Sequence, residues 1–199
     1  MILESIVTTV DRNGRVNLAP MGPVVDGDLG NPDPADVTFR LRPFVSSQTF
    51  KNLFETRVAV IHITDDASLM ARAAVGQVAD QEVAGLVRQI ANTDWWPLID
   101  CHRWFAVRVD SVEHDDLKSV MECRVSDSAV VRPFFGFNRA KHAVLEAAIL
   151  ATRTHLIPEA TIREELRRLE PLIDKTAGPA EHDAFDMLRG IIDERLANG

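Results

Sequence analysis

Up to about residue 131 the apolar positions come in short runs that alternate or stay continuous. After residue 133 they recur every three or four. Residues 3–10, rich in Ile, Val and Thr, predict a strand. Asp11-Arg-Asn-Gly14 predicts a turn, because its Asn-Gly pair tolerates positive φ. Residues 16–25 predict a second strand, but Pro20 and Pro23 can give no ladder hydrogen bond. That strand must be an edge, bulged or interrupted strand, with backbone groups left over for something else. Further strands are expected over 37–42, 57–64, 104–112 and 121–131, the last two joined by a polar hairpin at 114–118. About six strands, mostly hairpin-connected with short helices inserted, suit a small antiparallel barrel.

The inserted helices are expected over 47–55, after Asp65-Asp66 through Leu69, Met70 and Ala73, and around Val83, Leu86, Val87 and Ile90, ending near Asn92. Residues 26–36, dense in Gly, Pro, Asp and Asn, predict a loop. Trp95-Trp96-Pro97 predicts a lid or packing loop. Adjacent tryptophans on a strand cannot both face one core, so one covers a ligand or partner subunit, or both pack within the chain.

From Pro133 onward the pattern is helical. A helix is expected over 139–156 with Val144, Leu145, Ala148 and Ile149 on one face. Thr161-Ile-Arg-Glu164 reads as a capping box ahead of Ile162, Leu166, Leu169 and Ile173. A last helix over 181–196 carries Phe185, Leu188 and Ile192. The expected organisation is therefore a β-rich α+β domain over 1–133 and a helical C-terminal domain over 134–199.

Composition narrows the partners. At 199 residues the chain can bury a good-sized core, and its net charge of −8 disfavours nucleic-acid and anionic-membrane binding. A local basic cluster, Arg40, Arg42 and Lys51, then points to one small anion. Cys101 and Cys123 have no metal or disulfide spacing, and the six histidines are scattered. His114-Asp115-Asp116 reads as a solvated turn, so no metal is expected. With neither a signal-peptide pattern nor a transmembrane run, the expected location is cytoplasmic. No nucleophile–base, GxGxxG or Walker motif occurs.

Two segments carry candidate chemistry. Residues 40–53 run from an arginine-bearing strand through Pro43 into a helix opened by Ser46, Ser47 and Thr49. The first N–H groups of a helix lack internal partners and carry the positive end of its dipole. Hydroxyls and a guanidinium add donors suited to phosphate. The other segment is the interrupted strand with Asn17, Ala19, Pro20, Met21 and Gly22, whose small or flexible side chains leave room for a flat ring. Surface ion pairing of the arginines, capping by the serines and a kinked edge strand with nothing bound are the plain structural alternatives.

Asn17-Leu-Ala-Pro-Met-Gly22, followed by Arg42 and Ser46-Ser-Gln-Thr-Phe-Lys-Asn52, resembles the FMN-binding split-barrel proteins of the flavin-reductase-like type. The chain is most similar to an archaeal and bacterial family of unknown function. That family joins such a barrel to a helical domain opened by a Phe-Asn-Arg-Ala-Lys-His segment, here 137–142. The resemblance implies a split antiparallel β-barrel, FMN as cofactor and a homodimer. It implies cofactor contacts from Asn17, Ala19, Pro20, Met21 and Gly22 on the ring side. Arg42, Ser46, Ser47, Gln48, Thr49 and Asn52 are implied on the phosphate and ribityl side, with Arg139 approaching the same pocket. Well-known flavin reductases lack the helical tail, so their activity does not transfer automatically.

The function expected is a flavin-dependent oxidoreductase acting with a small-molecule substrate or electron donor. The alternatives are a protein that stores, delivers or senses FMN without turnover, and a barrel holding another phosphorylated or deazaflavin cofactor. No catalytic side chain is implied.

Overall fold

A computed structural model describes residues 1–29, 37–134 and 136–198. The part of the expected 26–36 loop that covers 30–36 lies outside the described residues. The chain divides into two units: Met1–Thr64 with Ala79–Phe134, and Asp65–Val78 with Phe135–Gly199. The division thus differs from a single cut at 133, because the helix after Asp65-Asp66 sorts with the C-terminal helices.

The first unit is built on one antiparallel sheet of strands β1 (Ser5–Val10), β2 (Val16–Met21), β3 (Val24–Asp26), β4 (Thr38–Leu41), β5 (Val58–Ile63), β6 (Arg103–His114) and β7 (Ser119–Val130). Their order is β2-β1-β5-β6-β7-β4-β3. Among the described residues seven strands appear where about six were expected, because the 16–25 run breaks at Gly22-Pro23. Its first half becomes one sheet edge and its second half the other. Pro20 therefore sits on an edge strand, where its missing N–H removes no bond from a second neighbour.

The segment ahead of β1 draws the two ends of the sheet together. Leu3 N–H donates to Pro23 O at 3.0 Å, and Val25 N–H donates to Met1 O at 2.7 Å. Register shifts between Ala106/Val107 and Val109/Ser111 add curl along the β6–β7 pair. The concave side holds Val7, Phe39, Leu41, Ile61, Phe105, Val107 and Met121. Helix α1 (Gln48–Thr56) adds Phe50 and Leu53 to this core. The fold is a split β-barrel, as the resemblance implied.

The outer face of β1, β5 and β6 is covered by the tryptophan loop. Trp95 is buried against Val10, Val58, Val60 and Ala106, and its indole N–H donates to Val107 O at 3.3 Å. The open question about Trp95 thus resolves to packing within the chain. The helix expected up to Asn92 is shorter: after α2 (Ala67–Ala74), α3 spans only Asp80–Leu86. Val87 then pairs with Leu98, Arg88 N–H donates to Pro97 O, and Ile90 N–H donates to Trp95 O. Val87 and Ile90 serve this extended return, so their helical spacing with Val83 and Leu86 misled.

The second unit contains α2, α4 (Arg139–Thr152), α5 (Glu159–Thr176) and α6 (Pro179–Ala197). Ala140, Ala143, Val144, Ala147, Ala148 and Ala151 make the buried face of α4, with Leu145 and Ile149 only half-buried. Small side chains let α2 and α6 pack closely against it. The expected capping box at Thr161 is not formed. The α5 helix begins at Glu159 after Pro158, and Thr161 N–H already donates to Pro158 O at 3.0 Å. One half of such a box is made at α6, where Gly178 N–H donates to Glu181 Oε2 at 2.9 Å.

His62 links sheet and tryptophan loop. It is fully buried, its Nδ1 lies 2.8 Å from Ile6 O, and its Nε2 accepts from Leu98 N–H at 3.0 Å. These partners require the neutral tautomer with the proton on Nδ1. Burial lowers its pKa to about 4, against a smaller opposing effect of the Ile6 carbonyl. A lowered folded-state pKa means the unfolded chain takes the proton first, so stability falls as pH drops from about 6.5 towards 4. Urea unfolding at pH 7 and pH 4.5 should show the wild-type protein losing about 2 kcal/mol more than His62→Gln, which can still donate and accept. Equal losses would assign the acid sensitivity elsewhere.

Candidate functional site

The site is built around the corner that leads into α1. Ser47 N–H donates to Phe44 O at 2.9 Å, which turns the chain sharply. Ser47 is extended and its hydroxyl accepts from Phe50 N–H at 3.1 Å, so it caps the helix. The β6–β7 hairpin holds this corner from outside. Val45 N–H donates to Leu117 O at 3.1 Å, and Ser119 Oγ donates to Pro43 O at 2.6 Å. Asp115 shapes that hairpin by accepting from Leu117 and Lys118 N–H, each at 2.7 Å. Those bonds, Lys118 first, lower its pKa. The expected solvated turn at 114–116 is a hairpin tip.

With the corner fixed, the N–H groups of Gln48 and Thr49 have no acceptor among the described residues. Ser46 and Gln48 are exposed beside them. Arg42 is exposed and has neither hydrogen bond nor ion pair among the described residues. Arg40 is different, since its Nε lies 2.5 Å from Glu122 Oε1. The two strand arginines therefore separate into one held in a salt bridge and one available to an anion.

The opposite wall comes from β2. Its register places Asn17 across from Thr9, Ala19 across from Val7 and Met21 across from Ser5, so these three share the face that α1 covers. Leu18 and Pro20 lie on the other face. As an edge strand, β2 leaves its outer ladder side without a strand partner among the described residues. Gly22 follows, exposed, where the N-terminal segment passes; a Cβ there would come within 2.9 Å of Ile2 Cγ2.

The sheet and the helix meet through side chains. Asn17 Nδ2 donates to Thr49 Oγ1 at 3.1 Å and lies 3.5 Å from Thr9 Oγ1. Asn52 Nδ2 donates to Thr9 Oγ1 at 3.1 Å, and Gln48 Nε2 donates to Asn52 Oδ1 at 2.7 Å. Thr9, Thr49 and Asn52 are buried, whereas Asn17 is half-buried and Gln48 exposed. An open cleft beside this network is lined by Asp11, Arg15, Val16, Asn17, Gln48, Asn52 and Asp80. Arg15 and Asp80 form an exposed ion pair there.

Most residues singled out from sequence thus gather where β2 meets the start of α1. Asn17, Gln48, Thr49 and Asn52 join one hydrogen-bonded chain, and Ser46, Ser47 and Arg42 line the corner next to it. Arg139 belongs to the second unit, exposed as the first residue of α4. Thr9 was not singled out. Its cross-strand register with Asn17 was the available signal, and that register follows from the tight turn between β1 and β2.

The Phe137-Asn-Arg-Ala-Lys-His142 segment has a structural role within the second unit. Asn138 Oδ1 caps α4 by accepting from Lys141 N–H, and its Nδ2 donates to Thr176 O at 2.9 Å. Lys141 Nζ donates to Asp65 O at 2.8 Å and to Asp65 Oδ2 at 2.9 Å, and lies 3.6 Å from Glu181 Oε1. One ammonium group thereby ties the start of α4 to the segment before α2 and to the first turn of α6. Phe137 and His142 are exposed. Both cysteines are buried with raised pKa values, about 11 for Cys101 and about 12 for Cys123, in each case chiefly through burial. Neither forms a ready thiolate. Among the described residues no group of His, Cys, Asp and Glu is placed to hold a metal ion, and no helix is long and apolar enough to cross a membrane.

A curled antiparallel barrel with an edge strand facing a helix start defines the split-barrel class. Solved structures show the same fold. An FMN-bound protein from Methanosarcina mazei is 22% identical over 96% of this chain and 94% of its own, with a TM-score of 0.78. The flavin reductase HpaC in complex with NADP+ is 13% identical over 68% of this chain and 83% of its own, with a TM-score of 0.53. An FMN-binding protein from Thermus thermophilus is 16% identical over 66% and 72%, with a TM-score of 0.52. Family models described as "Protein of unknown function (DUF447) N-terminal domain" and "Protein of unknown function (DUF447)" match residues 3–132 and 138–190. The chain belongs to the DUF447 family.

Proposed function

We propose that the protein binds FMN between β2 and the start of α1 and works as a flavin-dependent oxidoreductase. The observation that carries this reading is the corner at 42–49. There, among the described residues, an arginine without an anionic partner, the exposed Ser46 hydroxyl and two helix N–H groups without an acceptor come together. That donor set fits a phosphate monoester. The outer edge of β2, with Ala19, Met21 and Gly22, fits the flat ring. The FMN-bound Methanosarcina mazei neighbour, similar over 96% of this chain, supports the same cofactor.

In this reading Arg42 neutralises the phosphate, while Ser46, Ser47 and the first-turn N–H groups orient it. Gln48 faces the ribityl chain. Asn17, Pro20 and the backbone of Ala19 to Gly22 flank the ring. Thr49 and Asn52 are buried and act from behind by holding the helix start against the sheet. Bound flavin supplies the hydride or single-electron chemistry, and the chain supplies position and electrostatics. The barrel and the helical unit are proposed to work as separate domains, the first carrying the cofactor, in a cytoplasmic protein.

A homodimer is part of the proposal. Phe44 is 56% exposed and Leu117 63% exposed, and the two sit on neighbouring segments at the phosphate corner. A second copy covering them would also shield the site from water. Light scattering should give twice the chain mass, and a monomer at micromolar concentration would refute this part.

The purified protein should be yellow and release FMN on denaturation. Arg42→Ala should weaken FMN binding about 10- to 100-fold, or about 1.5–3 kcal/mol, by flavin fluorescence titration. Unchanged affinity in folded protein would remove Arg42 from the site. Anaerobic addition of NADH or NADPH should bleach the bound flavin. Failure of both nucleotides and of a panel of other reductants would favour FMN storage or sensing, whereas absence of FMN would favour a different phosphorylated or deazaflavin cofactor.

A further inference from the structure

We propose that Thr9 is a positioning residue that couples the ring-side strand to the phosphate-side helix, so that both halves of the cofactor are met in one register. The inference rests on the FMN reading above and extends it to a residue that makes no cofactor contact in that reading.

Thr9 lies on β1, between β2 and β5, with Asn17 opposite it on one side and Ala59 on the other. Its side chain points to the face covered by α1 and is almost completely buried. Its oxygen is the acceptor for Asn52 Nδ2 at 3.1 Å and lies 3.5 Å from Asn17 Nδ2. Asn17 also donates to Thr49 Oγ1 at 3.1 Å, and Asn52 accepts from Gln48 Nε2 at 2.7 Å. One hydroxyl thus stands where the amide from β2 and the amide from α1 converge.

The geometry matters because of what each amide is attached to. Asn17 begins the β2 stretch that leads through Ala19 and Met21 to Gly22. Asn52 sits one turn after Gln48 and Thr49, whose N–H groups open towards the corner. A slip of the helix start relative to β2 would strip Asn52 Nδ2 of its acceptor in a buried place, which is costly. Ordinary apolar contacts of Phe50 and Leu53 hold the helix on the barrel but are nondirectional, so they tolerate small slides. The Thr9 hydroxyl supplies the directional restraint.

The test compares FMN with riboflavin, which share ring and ribityl chain but differ in the phosphate. Thr9→Val keeps shape and removes the hydroxyl. If Thr9 sets the helix start relative to the strand, the variant should lose about tenfold or more in FMN affinity. Riboflavin affinity should change much less, so that the preference for FMN collapses. Thr9→Ser, which restores the hydroxyl, should recover FMN binding to within about threefold. Circular dichroism melting of each apo variant checks folding, and Thr9→Ala replaces Thr9→Val if the latter lacks a cooperative transition.

A folded Thr9→Val or Thr9→Ala protein with an unchanged FMN-to-riboflavin preference overturns the coupling, as does failure of Thr9→Ser to rescue. Wild-type protein that takes up no FMN overturns the FMN reading itself and this inference with it. Wild-type protein that binds FMN while the variants keep their preference leaves that reading intact and removes only Thr9.

Discussion

Polar groups buried between a sheet and a helix have to find their partners inside the protein, and this requirement shapes the barrel around β1. Thr9, Thr49 and Asn52 are all buried where α1 crosses the sheet, yet each has a hydrogen-bond partner from another element. An unmet donor in such a place costs about 1–3 kcal/mol, so the arrangement has few alternatives. Satisfying those side chains aligns α1 with β2. The helix start then points two N–H groups, without an acceptor among the described residues, to the corner carrying Arg42, Ser46 and Ser47.

The same logic of satisfied backbone explains the rest of the barrel. Pro20 is acceptable because β2 is an edge, and the break at Gly22-Pro23 sends the chain to the opposite edge as β3. The first three residues then bond to Pro23 and β3 and bring the ends of the sheet together. On the outer face, burial keeps His62 neutral, with one ring nitrogen against the Ile6 carbonyl and the other accepting from Leu98 N–H. That pairing secures the tryptophan loop over β1 and β5. The hairpin tip at Asp115 secures the corner ahead of α1 through Leu117 and Ser119. In the helical unit Lys141 does comparable work among three segments.

Much of the architecture was legible from residue patterns, since the short Ile-, Val- and Thr-rich runs at 5–10, 58–63 and 103–114 and helical spacing in α5 and α6 are local properties. Errors came where local signals admitted two uses. Val87 and Ile90 continued a helical spacing but pair with Leu98 and Trp95 in an extended return. Thr161 and Glu164 had capping-box spacing but fell inside a helix that starts earlier, at Glu159. On α4 the buried face is mostly alanine, so Leu145 and Ile149 drew attention away from it. The candidate site was legible in its two halves, because serines at a helix start and prolines in a strand are local too.

The chain's own residue order settled most of the strand and helix inventory, the edge or interrupted character of the run with Pro20 and Pro23, and a helix start suited to an anion. These follow from hydrogen-bond capacity and φ limits that each residue carries wherever it sits. Tertiary packing settled which arginine stays available, because Glu122 on β7 neutralises Arg40 and leaves Arg42. It also settled that Asn17, Thr9 and Asn52 converge, since they come from three elements brought together by strand register and helix docking. Such convergence depends on contacts between positions up to 43 residues apart along the chain, which periodicity and composition do not encode.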